Sequence, residues 1–168
     1  PHAGSCAAGA VWADSRRFAD VGTGSGALAV SIAWFTGCRG YGLDTSPGAI
    51  AVAGLNARRH GADALVKFLE GDLLEPLAGR GLEQTLDCVV SNPPYVPVDE
   101  YGSLQPEVRD YEPREAIVCA DLPLLYGRLA GQAAGFLRAG GLLAVEIGYG
   151  QAGSVSKAIG ETGLFEGI

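Results

Sequence analysis

Residues 17–21 have the length and composition of a short strand. They run into Gly22-Thr23-Gly24-Ser25-Gly26 and then into an apolar segment, residues 27–35, closed by Gly37. Few folds accept that succession. The second segment is long enough for a helix, and a glycine just past its end supplies the left-handed position at which helices stop. Strand, tight turn and helix make a βα unit, and a following strand in the same sheet would lie parallel to the first. The pattern then repeats. Residues 41–43 form a second strand ended by Asp44, Ser46 is a candidate N-cap with Pro47 at the first helical position, and a helix continues to about His60. Residues 66–69 form a third strand ending at Gly71-Asp72-Leu73, and the apolar run 86–90 forms a fourth. Residues 121–137 read as a helix, Gly140-Gly141 as its exit turn, 142–147 as a fifth strand and 151–162 as a last helix. Alternating strands and helices predict an α/β fold, a mostly parallel sheet with helices on both faces and right-handed crossovers.

With 168 residues and 48% apolar content, the chain has the size and make-up of one globular domain. A net charge of −7 excludes a protein that grips a nucleic-acid backbone over many phosphates. Cys6, Cys38, Cys88 and Cys119 are scattered without paired spacing, which predicts free or buried thiols in a reducing compartment, not bridges or a zinc site. Two histidines, His2 and His60, make no metal cluster, and no run of about 18 apolar residues suggests a membrane span. The sequence contains no Met, initiator included, and stops abruptly, which predicts a piece of a longer protein.

In an open parallel sheet the first glycine turn lies at the crevice where ligands bind, and glycine lets a ligand approach the backbone. Gly22, Gly24 and Ala27 satisfy the dinucleotide pattern G-x-G-x-x-G/A, with Asp44 at the spacing of a ribose-binding carboxylate. Nicotinamide binding therefore competes with other nucleoside cofactors at this point. Asp72, at the end of the third strand, adds an acceptor where an adenine amino group could be read.

The fourth strand opens into Ser91-Asn92-Pro93-Pro94-Tyr95. Two prolines fix their own φ and push Asn92 into an extended conformation, so the Asn side chain and the Pro93 carbonyl form a rigid pair of acceptors. An R-NH2 group donating both hydrogens to them would have its nitrogen lone pair aimed one way, with the Tyr95 ring as a face for the flat group. The chemistry suggested is attack by a planar nitrogen. The acidic stretch 96–120 is too long for a plain connector and is expected to be a lid or wall.

The segments Asp20-Val21-Gly22-Thr23-Gly24-Ser25-Gly26, Asp44, Gly71-Asp72-Leu73 and Asn92-Pro93-Pro94-Tyr95 resemble, in order and spacing, the motifs of class I S-adenosylmethionine-dependent methyltransferases. More closely, the chain resembles the release-factor glutamine N5-methyltransferases, the PrmC/HemK-like family. The resemblance runs from Arg17 to the end and takes in Glu107-Val108, Tyr111-Glu112-Pro113, Ala116, Gly140-Gly141-Leu142 and Glu146-Ile147-Gly148. It implies a Rossmann-like fold whose terminal hairpin is missing from this fragment. Residues 16–168 would be the S-adenosyl-L-methionine-binding catalytic domain and residues 1–15 an unassigned lead-in.

By the same resemblance, Asp20, Gly22, Thr23, Gly24 and Gly26 would hold the methionine end of the cofactor, Asp44 its ribose, and Asp72 and Leu73 the adenine. Asn92, Pro93, Pro94 and Tyr95 would hold the glutamine amide, with Asn92 bordering the cofactor as well. The implied activity is methylation of a glutamine amide nitrogen in a protein, the Gly-Gly-Gln loop of a peptide-chain release factor, in the cytoplasm or an organelle matrix or stroma. Direct nucleic-acid binding and a membrane are not expected. Adenine N6 methylation of nucleic acid, and an inactive cofactor-binding module, are the alternatives.

Residues 1–15 match neither the family's helical N-terminal domain nor its Pro-Arg-Pro-Glu-Thr-Glu-like segment, and Val118-Cys119-Ala120-Asp121-Leu122 stands where Gly-Gly-x-Asp-Gly is usual. Elsewhere plain roles are expected. Trp12 and Trp34 are read as packing aromatics and Asp110 with Arg114 as a solvated loop pair; Glu112 and Glu146 are read as a solvated loop carboxylate and a strand-end turn residue, in preference to a part in shaping the pocket. Ser25 has no histidine near it in sequence and is given no nucleophilic role.

Overall fold

A computed structural model describes residues 16–168; the expectations for residues 1–15, Cys6 and Trp12 among them, lie outside the described residues. The chain begins with β1 (Arg17–Val21), α1 (Ala27–Thr36), β2 (Arg39–Asp44), α2 (Pro47–Arg59) and β3 (Val66–Glu70). It continues with β4 (Leu86–Ser91), β5 (Val96–Pro97), α3 (Pro106–Arg109), α4 (Arg114–Ile117) and β6 (Val118–Cys119). α5 (Leu122–Phe136), β7 (Leu137–Val145) and α6 (Ala152–Gly160) complete it. Local chemistry explains most boundaries. Gly37, left-handed at φ 71°, ends α1 by returning its N–H to the Ala33 carbonyl, and the Ser46 hydroxyl caps α2 by accepting from Ala49 N–H at 3.2 Å. Asp121 caps α5 in the same way, accepting from Leu124 N–H at 2.9 Å.

The main sheet has five strands in the order β3-β2-β1-β4-β7, and every pairing is parallel. Side chains alternate across β1. Phe18 packs with Ala29, Val30 and Ala33 of α1 and Ala57 of α2, while Ala19 and Val21 pack with Leu86, Val89 and the α5 residues Leu129, Ala133 and Phe136. α6 joins α5 on that second face, through Val155, Ala158 and Ile159 against Tyr126 and Ala130. Each wholly buried leucine, such as Leu43, Leu86 or Leu129, contributes about 1.5–3 kcal/mol over an exposed one. The first face is built close. Gly42 of β2 lies under the Phe68 ring, where a Cβ would meet it at 2.5 Å.

Gly140 and Gly141 are not the exit turn of α5. They lie inside β7, whose ladder with β4 jumps from Leu86↔Leu137 to Cys88↔Leu142, so residues 138–141 bulge out opposite Asp87. Gly140 takes the left-handed φ of 72° that the bulge requires. Asp87 fastens it by accepting from Arg138 Nε at 2.8 Å and from the Arg17 N–H at 2.9 Å. Partial burial raises the Asp87 pKa, yet those two bonds prevail and hold it below its ordinary value.

Trp34 is also a correction. It is 63% exposed, because α1 is apolar all round and buries only Ala29, Val30 and Ala33. The acidic stretch folds into a short 3-10 turn (Val98–Ser103), α3 and α4, closed at its base by the two-stranded parallel ladder of β5 and β6. Within it Asp110 pairs with Arg109 at 2.8 Å, while Arg114 lies 5.2 Å over the Tyr101 ring. The expected Asp110–Arg114 pair does not form, since a neighbouring guanidinium takes the carboxylate first. Among the described residues no helix is long and apolar enough to cross a membrane and no His, Cys, Asp or Glu group could hold a metal ion. Cys38, Cys88 and Cys119 are free thiols, as expected. Burial, then the nearby Asp87 charge, pushes the Cys88 thiol pKa up.

Candidate functional site

β1 pairs with β2 on one side and β4 on the other, so the chain reverses its winding at β1 and a crevice opens beyond the C-terminal ends of β1 and β4. Both sequence motifs meet there. Ser91 sits level with Val21 in the ladder, and its buried hydroxyl donates to the Val21 carbonyl at 2.8 Å. The loops that follow consequently leave side by side: a Cβ on Gly22 would lie 3.8 Å from the Asn92 carbonyl oxygen.

The glycine loop is held from beneath by Asp20, which is 1% exposed. Its Oδ2 accepts from the Thr23 hydroxyl at 2.6 Å and from Ala29 N–H at 3.1 Å, tying the loop to α1. Its Oδ1 is buried without a partner. Burial pushes the Asp20 pKa up, opposed by those two donors and assisted by the nearby Asp44 charge. Gly22, Gly24 and Gly26 all take positive φ, and nothing lies within 4 Å of where a Gly24 Cβ would stand. The loop thus offers bare backbone and, beneath it, an orphaned carboxylate oxygen, an acceptor suited to a cationic amino group.

Asp44 stands at the end of β2 with both oxygens in use, Oδ2 accepting from Gly24 N–H and Oδ1 from Ser46 N–H, each at 2.9 Å. A carboxylate oxygen accepts twice, so one lone pair on each is left for a hydroxyl. Asp72 is more committed. Its Oδ2 takes the Arg128 guanidinium at 2.6 Å, a partner on α5 that the sequence did not suggest. Leu73 is left-handed at φ 48° and buried in the core beside Leu74 and Leu77.

Beyond Ser91, Asn92 is exposed and Pro93 is buried. Tyr95 is held twice: its hydroxyl donates to Glu146 Oε1 at 3.0 Å, and its carbonyl accepts from Gln151 Nε2 at 2.7 Å. The bond to Glu146, followed by burial and the Glu146 charge, raises the Tyr95 pKa.

Residues 9–103 match the model of the methyltransferase small domain family. The chain belongs to that family. Among curated relatives it is 46% identical over 147 residues to the release factor glutamine methyltransferase of Geobacter sulfurreducens, covering 86% of this chain and 50% of the relative. It is 46% identical over 152 residues to that of Moorella thermoacetica, covering 88% and 52%. The chain spans about half the length of these curated relatives. Among solved structures, TrmN from Thermus thermophilus superposes with a TM-score of 0.63 at 22% identity, over 86% of this chain and 36% of that one. The ribosomal protein L11 methylase from Lactobacillus delbrueckii subsp. bulgaricus gives 0.58 at 20%, over 86% and 58%. The shared feature at that distance is the fold, the Rossmann-like sheet expected from the motifs.

In this methyltransferase domain the motif residues Asp20, Gly22, Thr23, Gly24, Asp44 and Asn92 gather at one crevice, while Gly26 packs against Ala53 and Phe68 and Leu73 faces the core. Sequence reasoning missed the partners of Ser91, Arg128 and Gln151, and preferred a strand-end turn role for Glu146 over a part in shaping the pocket. The available signal was Glu146-Ile147-Gly148, quoted above for its resemblance without a partner.

Proposed function

We propose that this chain is the catalytic part of an S-adenosyl-L-methionine-dependent methyltransferase that modifies the side-chain amide nitrogen, N5, of a glutamine in the Gly-Gly-Gln loop of a peptide-chain release factor. The observation that carries this reading is the proximity of two sites of opposite character, the bare glycine loop and the exposed Asn92, across the β1–β4 crevice. The names of the relatives, release factor glutamine methyltransferases, support a release-factor glutamine as the substrate, and the family resemblance supports its Gly-Gly-Gln loop. The orphaned Asp20 Oδ1 and the open turn at Gly24 fit the amino-acid end of the cofactor, and the remaining lone pairs of Asp44 fit its ribose hydroxyls. Bound there, the cofactor supplies a methyl group already activated by a sulfonium.

The protein's own work is alignment and desolvation, which is proximity catalysis. An amide nitrogen is a poor nucleophile because its lone pair is delocalised into the carbonyl. Asn92 Oδ1 and the Pro93 carbonyl, accepting both amide hydrogens, favour the nitrogen as it turns pyramidal and positive, so their bonds strengthen toward the transition state. Small residues before the target glutamine let its backbone come close to the strand end, while the folded acidic stretch walls the groove.

Full-length protein, labelled cofactor, a release factor and its Gln→Ala variant make the test. Label is expected on the unmodified release factor and not on the variant. Equal label on both, or label on RNA and neither protein, refutes the assignment.

A further inference from the structure

The acceptor loop is bracketed by two fixed points, and both are supplied by the exit of β7. At one end, the Glu146 N–H donates to the Ser91 carbonyl at 2.9 Å, extending the sheet to the residue before Asn92. The Glu146 carbonyl accepts from the hydroxyl of the wholly buried Tyr126 at 2.7 Å, which pins that backbone against α5. At the other end Tyr95 is gripped by its hydroxyl, through Glu146 Oε1, and by its carbonyl, through Gln151 Nε2.

Gln151 is itself immobilised. Its Oε1 accepts from Gly148 N–H at 2.9 Å and its carbonyl from Ser154 Oγ at 2.9 Å and Val155 N–H at 3.0 Å, so the side chain is locked at the start of α6. A Cβ on Gly148 would meet the Gln151 amide at 2.8 Å, so a larger residue there would displace the amide from its present bonds. Between the brackets lie Asn92, Pro93 and Pro94, two of which have no φ freedom. The brackets therefore determine where Asn92 Oδ1 and the Pro93 carbonyl stand relative to the glycine loop.

We propose that Glu146 and Gln151 are positioning residues for the methyl acceptor, holding Tyr95 by both ends and so setting the distance between the amide-binding pair and the cofactor loop. The proposal rests on the methyltransferase reading above. Neither residue needs to touch the substrate. In-line displacement is acute in its distance dependence, and a displacement of about 1 Å costs on the order of 100-fold in rate. A loop freed at Tyr95 would lose acceptor alignment and leave the cofactor side, anchored by Asp20 and Asp44, unchanged.

The test uses full-length protein carrying Glu146→Ala, Glu146→Gln, Gln151→Glu, Tyr95→Phe, and the Tyr95→Phe/Glu146→Ala pair. Gln151→Glu keeps the acceptor for Gly148 N–H and turns the group facing the Tyr95 carbonyl from donor to acceptor, so the start of α6 is preserved. Glu146→Ala and Gln151→Glu are expected to lower kcat/KM for the acceptor by about 10- to 100-fold while the cofactor Kd moves by less than about 2-fold. Glu146→Gln, still able to accept from the Tyr95 hydroxyl, should rescue most of the activity. The double variant should be no worse than the poorer single one, because both remove the same bond. In Glu146→Ala the Tyr95 phenol, followed by its ultraviolet titration, should fall back toward its ordinary value.

Active wild type with undiminished variants, or variants that lose cofactor affinity in step with turnover, would overturn the positioning role alone. Wild type that methylates no acceptor would overturn the proposed function, and the positioning role with it.

Discussion

Replacing Asp20 by Asn should make the protein more stable and worse at holding its cofactor. Asp20 is 1% exposed, its Oδ2 has two donors and its Oδ1 has none. A buried polar atom left unpaired costs about 1–3 kcal/mol, more when charged. The amide oxygen of Asn would still accept from Thr23 and Ala29, and its NH2 would stand where Oδ1 now does. Since that NH2 is also unpaired, the gain is limited to the lost charge, about 1–2 kcal/mol at pH 7. At roughly 2–4 °C per kcal/mol for a domain of this size, Tm should rise by about 2–8 °C.

The pH dependence has a definite sign. The folded pKa of Asp20 is raised above its ordinary 3.8, so its relative stabilisation is complete below that value and is lost as pH rises through the folded pKa. The advantage of Asp20→Asn is therefore largest at neutral pH and disappears in acid. Calorimetric unfolding at pH 7 and pH 4, with titration of S-adenosyl-L-methionine at pH 7, measures both effects. Affinity should fall by about 10-fold or more, as expected for one lost charge-assisted bond. A variant less stable than wild type at pH 7 would show that the Asp20 charge is needed by the fold itself, and a pH-independent gain would show that the stabilisation does not come from removing that charge.

Two further substitutions separate the halves of the site. Asn92→Ala should leave cofactor affinity near normal and abolish most methyl transfer, since its acceptor acts mainly in the transition state; single-turnover transfer rates check this, and a variant with most of its turnover would reduce Asn92 to a brace. Arg128→Ala should barely alter stability, because the Asp72 pair is about two-fifths exposed and screened by water, and should tighten cofactor binding by freeing Asp72 for the adenine amino group. Calorimetric titration decides it: affinity unchanged by both Arg128→Ala and Asp72→Asn would remove Asp72 from the adenine site.

Features written in neighbouring residues were legible in the sequence. β1 begins and ends where the apolar stretch predicts, and the Ser46 cap with Pro47 behind it forms as its residue types require. Asp44 and Asn92 stand at strand ends beside the crevice because strand termini are marked by local changes of composition. Features decided by distant partners were not legible. A glycine pair signals a turn locally, yet Gly140-Gly141 lie in a strand because β4 supplies a ladder on both sides of their bulge. In α1 nearly every residue is apolar, so no periodicity tells that Ala29 and Ala33 face the sheet while Trp34 and Phe35 face solvent.

The same division explains why the site was visible as two motifs and not as one machine. Glycines and prolines announce themselves because their backbone restrictions are intrinsic, and they mark the two loops on which the proposed site is built. What joins them is a set of hydrogen bonds across 70 residues from Ser91 to Val21, 51 from Tyr95 to Glu146 and 56 from Gln151 to Tyr95. Serine, glutamate and glutamine carry no such restriction, and each is ordinary until the parallel register sets it opposite its partner. In a sheet that reverses its winding, the residues flanking the reversal are far apart in sequence by construction. The connections that align the two halves of a site at that point must then be supplied by residue types whose role the tertiary fold alone reveals.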